Sequence, residues 1–230
     1  GRPPKGSVMI TLHHLENSQS IRILWLLEEL GMEYDFKMYD RDSKTMLAPA
    51  EYKAISPLGT APVITDGDVT LAESNAIIEY ILDKAEAETW RPGPASKNRE
   101  KYLFWFHASQ GSLQSILTMS LVLTITASRS PGLIRPLIKK VLGMTQAGFV
   151  KPRLKAILTL LEQDLSASKF VAGGRITAAD IALGYTLEMA GMRGLLDDYP
   201  NCLDYVERMT SRPGFKRAVE KDGKYTGIPT

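Results

Sequence analysis

"APVITDGDVTLAESNAIIEYILDK", residues Ala61 to Lys84, is the most legible part of this chain. Pro62-Val63-Ile64-Thr65 and Val69-Thr70-Leu71 are two β-rich pieces around Asp66-Gly67-Asp68, which reads as a hairpin turn. Glu73-Ser74-Asn75 then opens a helix carrying Ile77, Ile78, Ile81 and Leu82. Upstream, Ser7 to Leu15 is a short β-rich run. It is followed by a helix with Ile23, Leu26, Leu27 and Leu30 at i, i+3, i+4, i+7. Ile21, Leu24 and Trp25 broaden that stripe, so the helix should pack on more than one side, and Gly31 ends it. Tyr34 to Asp40 alternates as a second strand, and Pro49 to Ile55 reads as a short helix.

The order is therefore β-α-β-(α)-β-β-α, a thioredoxin-like layout over residues 8–86. The polar stretch 87–96, with Pro92, Gly93 and Pro94, reads as a linker. Beyond it strand signals fade. Helical periodicity fills 96–127, 152–165, 178–190, 199–210 and 213–220, so residues 97–230 should form an all-helical second domain. Residues 1–7, Gly-Arg-Pro-Pro-Lys-Gly-Ser, read as a leader outside the fold.

Composition excludes some classes. With 28 basic and 26 acidic residues among 230, the formal charge is +2. No basic stripe stands out, so nucleic-acid binding is not expected. Cys202 is the single cysteine, which rules out an internal disulfide and a Cys-x-x-Cys motif, and suits a reducing compartment such as the cytoplasm. The most apolar run, Leu113 to Ala127, is interrupted by Gln114, Ser115, Thr118, Ser120, Thr124 and Thr126. It falls short of the ~18–20 uninterrupted residues of a membrane span and should be a buried helix of a soluble chain. His13 and His14 are strand neighbours facing opposite sides and cannot chelate one metal, so no metal is expected.

Three constellations carry chemistry. The polar knot Glu16-Asn17-Ser18-Gln19-Ser20 precedes the first helix, whose amino end has unpaired N–H groups and a partial positive charge. Ser18 or Ser20 can offer a hydroxyl there and Asn17 an amide, or one of them simply caps the helix. "SPLGTAPVITDG" (Ser56 to Gly67) sets a small residue and a glycine turn before Pro62, compatible with a cis Ala61-Pro62 bond or with a trans strand-edge proline. A cis bend could turn the Ala61 backbone outward to pair with a peptide-like ligand. Glu73 and Ser74 begin the next helix, where a carboxylate and an ammonium could be held side by side, or where they serve only as a cap. Together these describe a pocket for a short, zwitterionic, thiol-bearing peptide.

These stretches resemble the cytosolic-type glutathione transferases. "NSQSIRILWLLEELGMEYD" (Asn17 to Asp35), "SPLGTAPVITDG" and "LAESNAIIEYIL" (Leu71 to Leu82) match that family's first domain. "FVAGGRITAADIALGYTLEMA" (Phe170 to Ala190), with its Thr177–Asp180 capping box, matches its second. The resemblance covers about Val8 to Glu220 and is nearest a fungal and bacterial subgroup that lacks a catalytic tyrosine. It implies that the glutathione thiol is ionised on the protein and attacks an electrophile or reduces a peroxide, in detoxification. No metal is needed.

Bringing a thiol of pKa near 8.5 down by about two units takes roughly 2.7 kcal/mol. One charge-assisted hydrogen bond (~1.5–3 kcal/mol) at a helix amino end (~0.3–1) is enough. The resemblance places that donor on Ser18, with Asn17 as second donor and Ser20 as the cap. It gives the backbone of Ala61, beside Thr60 and Pro62, to the cysteinyl part of glutathione, and Glu73 with Ser74 to the γ-glutamyl group. Relatives often carry a basic residue where this chain has Thr60, so the glycine carboxylate falls to Lys53, with Arg41 or Lys44 as substitutes. An electrophile site between the domains would draw on Leu15, Phe106, His107, Gln110 and Met119, although residues such as Phe106 and Met119 are more often plain core. The family implies a homodimer. The rival reading is a binding or scaffolding member without turnover, against which the Glu73-Ser74 pair speaks.

Overall fold

The computed structural model describes residues 9–56 and 58–226; the expected leader, residues 1–7, lies outside them. It divides into two compact units, one of residues 1–99 with 206–230 and one of residues 100–205.

The first unit holds a four-stranded mixed sheet of order β2-β1-β3-β4. β1 (Thr11–Leu15) pairs parallel with β2 (Asp35–Tyr39) and antiparallel with β3 (Val63–Asp66), which forms a hairpin with β4 (Val69–Ala72). α1 (Ile21–Leu30), α2 (Ala50–Ile55) and α3 (Ser74–Lys84) complete the layout. The β-α-β-(α)-β-β-α order is the one the motifs predict. Gly31 ends α1 in the left-handed region (φ 62°), where a glycine carries no Cβ penalty.

Residues Ile21 to Leu27 of α1 are buried without interruption, as its broad stripe requires. α1 contacts α3 on one side and, on another, α10 (Pro213–Asp222) from the far end of the chain. Phe215 meets Trp25 edge-on at 5.3 Å, and Arg212 grips both carboxylate oxygens of Glu29 at 2.7 and 2.9 Å. Gly214 lies so close to Glu29 that a Cβ would sit 2.7 Å from its side chain. Burial alone would raise the Glu29 carboxyl, but Arg212 and the Trp25 N–H hold it below its ordinary value. Glu28 is likewise held down, against its burial, by Tyr34 and Arg217. Carboxyls lowered on folding stabilise the docked helix at neutral pH, and that contribution is lost as the pH falls through their lowered values. Thermal melting should therefore drop steeply below about pH 4. Arg212→Leu should flatten that acid limb; an unchanged limb would show that the clamp carries none of it.

The second unit is helical. α4 (Arg99–Ala108) runs through a π-turn (Ser109–Gln114) into α5 (Ser115–Arg129), and α6 (Arg135–Thr145) through another (Gln146–Val150) into α7 (Lys151–Ala167). The two rods fold back on each other, with Gln146 Nε2 donating to Ser120 O at 3.0 Å. α8 (Ala178–Met192) is buried almost throughout and α9 (Pro200–Thr210) follows. Two expectations need correction. The apolar run Leu113 to Ala127 is not a buried helix: in α5 only Ile116 and Leu117 are buried. And Arg135–Thr145 (α6), outside the helical segments that the sequence reading names, is a full helix.

Candidate active site

Register gathers the three constellations at one end of the sheet. β1 leaves it at Leu15, just before the polar knot. His13 of β1 stands opposite Val63 of β3, immediately after Pro62, and Val63 stands opposite Ala72 of β4, immediately before Glu73. Leu15, Tyr39, Ala48, Tyr52 and Val63 pack as one cluster beneath, with Ala61 and Ala72 against it.

At the β1–α1 corner Ser18 and Ser20 are buried together and linked at 2.6 Å between hydroxyls. Ser20 Oγ lies 2.9 Å from His14 Nδ1, and His14 Nε2 lies 2.6 Å from Asp222 Oδ2, with both partners of the pair fully enclosed. At the other end Ser18 donates to Leu15 O at 2.6 Å. The links between Ser18 and Ser20, Ser20 and His14, and His14 and Asp222 join four buried side chains into one network that ends on the Leu15 carbonyl. Ser20 is thus not a side-chain cap, as expected of it; its hydroxyl is held by His14 and Ser18.

The backbone N–H groups of Ser18 and Gln19 donate to nothing among the described residues. They supply the uncommitted donors of the corner, because the N–H groups of Ile21 and Arg22 are already taken by Ser18 O and Gln19 O. Asn17 holds a left-handed backbone (φ 46°), and its Oδ1 accepts from the Thr226 hydroxyl at 3.2 Å. Its amide nitrogen stays uncommitted among the described residues. Arg41 donates to the carbonyls of Glu16, Asn17 and Met46 and so braces the loop.

The Ala61-Pro62 bond is cis, and neither the N–H nor the C=O of Ala61 has a backbone partner among the described residues. Tyr52 donates to Thr60 O at 3.2 Å. Glu73 is exposed with φ 76°, a conformation rarely adopted without a surrounding reason. Ser74 is buried at the first position of α3. The Lys53 stem lies against Gly59, 3.2 Å from where a Cβ would stand, and the residue is exposed. Lys44 is exposed in the loop after β2.

The residues expected around an electrophile do not gather in one place within the helical unit. Met119 lines a groove of about 550 Å³ with Phe104, Ile116, Phe149 and Leu160. Phe106 is buried and stacked on Tyr102 at 5.6 Å, His107 is exposed, and Gln110 Nε2 is buried without a hydrogen bond. Leu15 belongs to the cluster under the sheet. Neither histidine faces the other's side: His13 bonds Tyr39 Oη and Thr65 Oγ1, with burial and Lys37 lowering its pKa. Cys202 is fully buried, and burial beside Glu162 pushes its thiol up. Asp222 and the ring of His14 are neighbours of the two serines that sequence reasoning missed. They stand 208 residues apart, so no local pattern joins them.

A thioredoxin-like sheet with ligand-ready groups at one end, together with an all-helical unit, defines the two-part architecture of the glutathione transferases. Residues 7–83 match the family model for the glutathione S-transferase N-terminal domain, and residues 139–222 match a C-terminal domain model of the same family. The chain belongs to the glutathione S-transferase family. It is 33% identical to glutathione S-transferase 3 of Schizosaccharomyces pombe, over 93% of this chain and 88% of that one. It is 29% identical to glutathione S-transferase 1 of Saccharomyces cerevisiae, over 93% and 95%. A crystal structure of a glutathione S-transferase from Actinobacillus pleuropneumoniae superposes with a TM-score of 0.75 at 33% identity, covering 94% of this chain and 93% of that one.

Proposed function

We propose that the protein is a glutathione transferase that holds the glutathione sulfur as a thiolate at the corner between β1 and α1 and delivers it to an electrophilic carbon. The observation that supports this reading is the buried network of hydrogen bonds that links Asp222, His14, Ser20 and Ser18. Linked hydrogen bonds polarise one another, which strengthens the Ser18 O–H as a donor. The Ser18 hydrogen points to a backbone carbonyl at the end of the network and is the one assigned to the sulfur. Swinging from Leu15 O to the sulfur, it meets the thiolate beside the unpaired N–H groups of Ser18 and Gln19. The thiol proton leaves to solvent, and the sulfur lone pair forms the new bond as the electrophile expels its leaving group. His14 and Asp222 act through Ser18 and are positioning residues.

The open Ala61 backbone suits the cysteinyl amide, and Glu73 with Ser74 suits the γ-glutamyl ammonium and carboxylate. Lys53 is the cation we assign to the glycine carboxylate, since Arg41 is occupied by three carbonyls. Lys53→Ala should raise the KM for glutathione about fivefold, the scale of an exposed ion pair, with kcat little changed. An unaltered KM assigns the carboxylate elsewhere. The uncommitted Asn17 amide offers a second donor for peroxide or disulfide substrates. The yeast relatives are glutathione S-transferases, and a homodimer in a reducing cytoplasm fits the reading.

Retention on immobilised glutathione, followed by a conjugation assay with chlorodinitrobenzene, tests the proposal. Retention with turnover is the expected result. Retention without turnover would make the chain a binding member of the family, and no retention would remove both readings.

A further inference from the structure

Beyond α10 the chain turns at Gly223, whose φ of 68° lies in the left-handed region, and runs along the corner between β1 and α1. The Lys224 N–H donates to Asp222 Oδ1 at 3.0 Å. The Lys224 ammonium lies 2.5 Å from Asp40 Oδ1, just after β2, and 3.7 Å from Glu16 Oε2. The Tyr225 ring meets Phe215 edge-on at 6.3 Å. Thr226 then reaches Asn17: its N–H and its hydroxyl both donate to Asn17 Oδ1, at 3.4 and 3.2 Å. All of these residues belong to the first compact unit.

The two bonds from Thr226 decide what the shape of an asparagine leaves open. A carboxamide has nearly the same outline whichever way its oxygen and nitrogen point. A backbone N–H only donates, so the Asn17 atom facing Thr226 is the oxygen. The amide nitrogen is thereby turned to the other side. We infer that Thr226 is a positioning residue: by holding the Asn17 oxygen, it presents the Asn17 amide nitrogen to the sulfur site as a second donor beside the Ser18 hydroxyl. This rests on the reading of the β1–α1 corner as the thiolate site. A carboxamide released to turn would also offer the thiolate its oxygen, whose lone pairs repel the charge. The far end of the chain thus takes part in the chemistry of the corner, through a contact between residues 209 positions apart.

Titration of the thiolate's ultraviolet absorbance in the complex with glutathione tests this without turnover. Thr226→Val keeps the shape and the backbone N–H but removes the hydroxyl. It should raise the apparent pKa of the bound thiol by about half a pH unit and slow conjugation below that pKa about threefold, the scale of one neutral hydrogen bond. Thr226→Ser should restore the parent titration. The deciding comparison is made in Asn17→Gly, a substitution that suits the left-handed backbone of that position. There Thr226→Val should change nothing, because the amide it orients is gone. A Thr226→Val titration matching the parent overturns the inference, even where the melting temperature falls, and so does a shift that persists in Asn17→Gly. The same titration of Ser18→Ala keeps the two readings apart. If only Ser18→Ala shifts, the role of Thr226 alone falls; if neither shifts, the reading of the corner falls with it.

Discussion

Ser18→Ala should slow conjugation at neutral pH by about 10- to 100-fold while leaving the affinity for glutathione nearly unchanged. One charge-assisted hydrogen bond to the thiolate contributes about 1.5–3 kcal/mol. At about 1.36 kcal/mol per decade this gives the stated loss of rate and moves the bound thiol upward by about one to two pH units. Affinity is spared because the backbone of Ala61, Glu73, Ser74 and Lys53 lie outside the deleted hydroxyl. Residual activity should persist, since the N–H groups of Ser18 and Gln19 survive the substitution. The rate–pH profile decides the matter: its acid limb should shift to higher pH, and an unmoved limb with an unchanged rate would assign the sulfur to another donor. Asp222→Asn keeps the shape of the buried partner while removing its charge. It should move the same limb in the same direction by less. If Asp222→Asn lowers only the melting temperature, the His14–Asp222 pair is structural and the network does not reach the sulfur.

How much of this was readable in the chain follows from where each signal lives. The corner after β1, the hairpin of β3 and β4 and the start of α3 are written in contiguous residues, so both their folds and their candidate roles were legible. The cis state of Ala61-Pro62 was only one of two readings, because proline alone leaves the choice to the packing around it. The His14–Asp222 contact was not legible at all. It exists because α10 returns to α1, and the side chains that bring it there, Phe215 against Trp25 and Arg212 on Glu29, are as distant in sequence as the contact itself. α6 was missed for another reason. Pro131, Gly132 and Pro136 stand at its start, where such residues mark turns, although Leu137, Val141 and Met144 keep a helical spacing behind them. The burial of α5 was misjudged differently: an apolar run reports what a helix prefers to touch, without saying that this chain supplies the partner.

Asp180→Ala should be the most damaging single change outside the site. Asp180 is completely buried at the third position of α8 and accepts four hydrogen bonds. Its Oδ2 takes the Thr177 N–H at 2.7 Å and the Thr177 hydroxyl at 3.0 Å, and its Oδ1 takes the Val171 N–H at 3.1 Å and the Tyr205 hydroxyl at 2.8 Å. One carboxylate therefore joins the loop before α8, the cap of α8 and α9. Alanine strands at least three buried donors, each costing about 1–3 kcal/mol, and also removes a capping box worth about 1 kcal/mol. A net loss of about 4 kcal/mol is a large share of the ~5–15 kcal/mol by which proteins are stable. For a chain of this length it lowers the melting temperature by about 10 °C. Asp180→Asn should fall between the two, because its amide keeps one acceptor but turns a second donor toward the Thr177 N–H. The near-ultraviolet circular dichroism melt distinguishes these cases. An alanine variant melting within a degree or two of the parent would mean that water replaces the carboxylate, and that the helical unit does not depend on this residue to hold α8 in place.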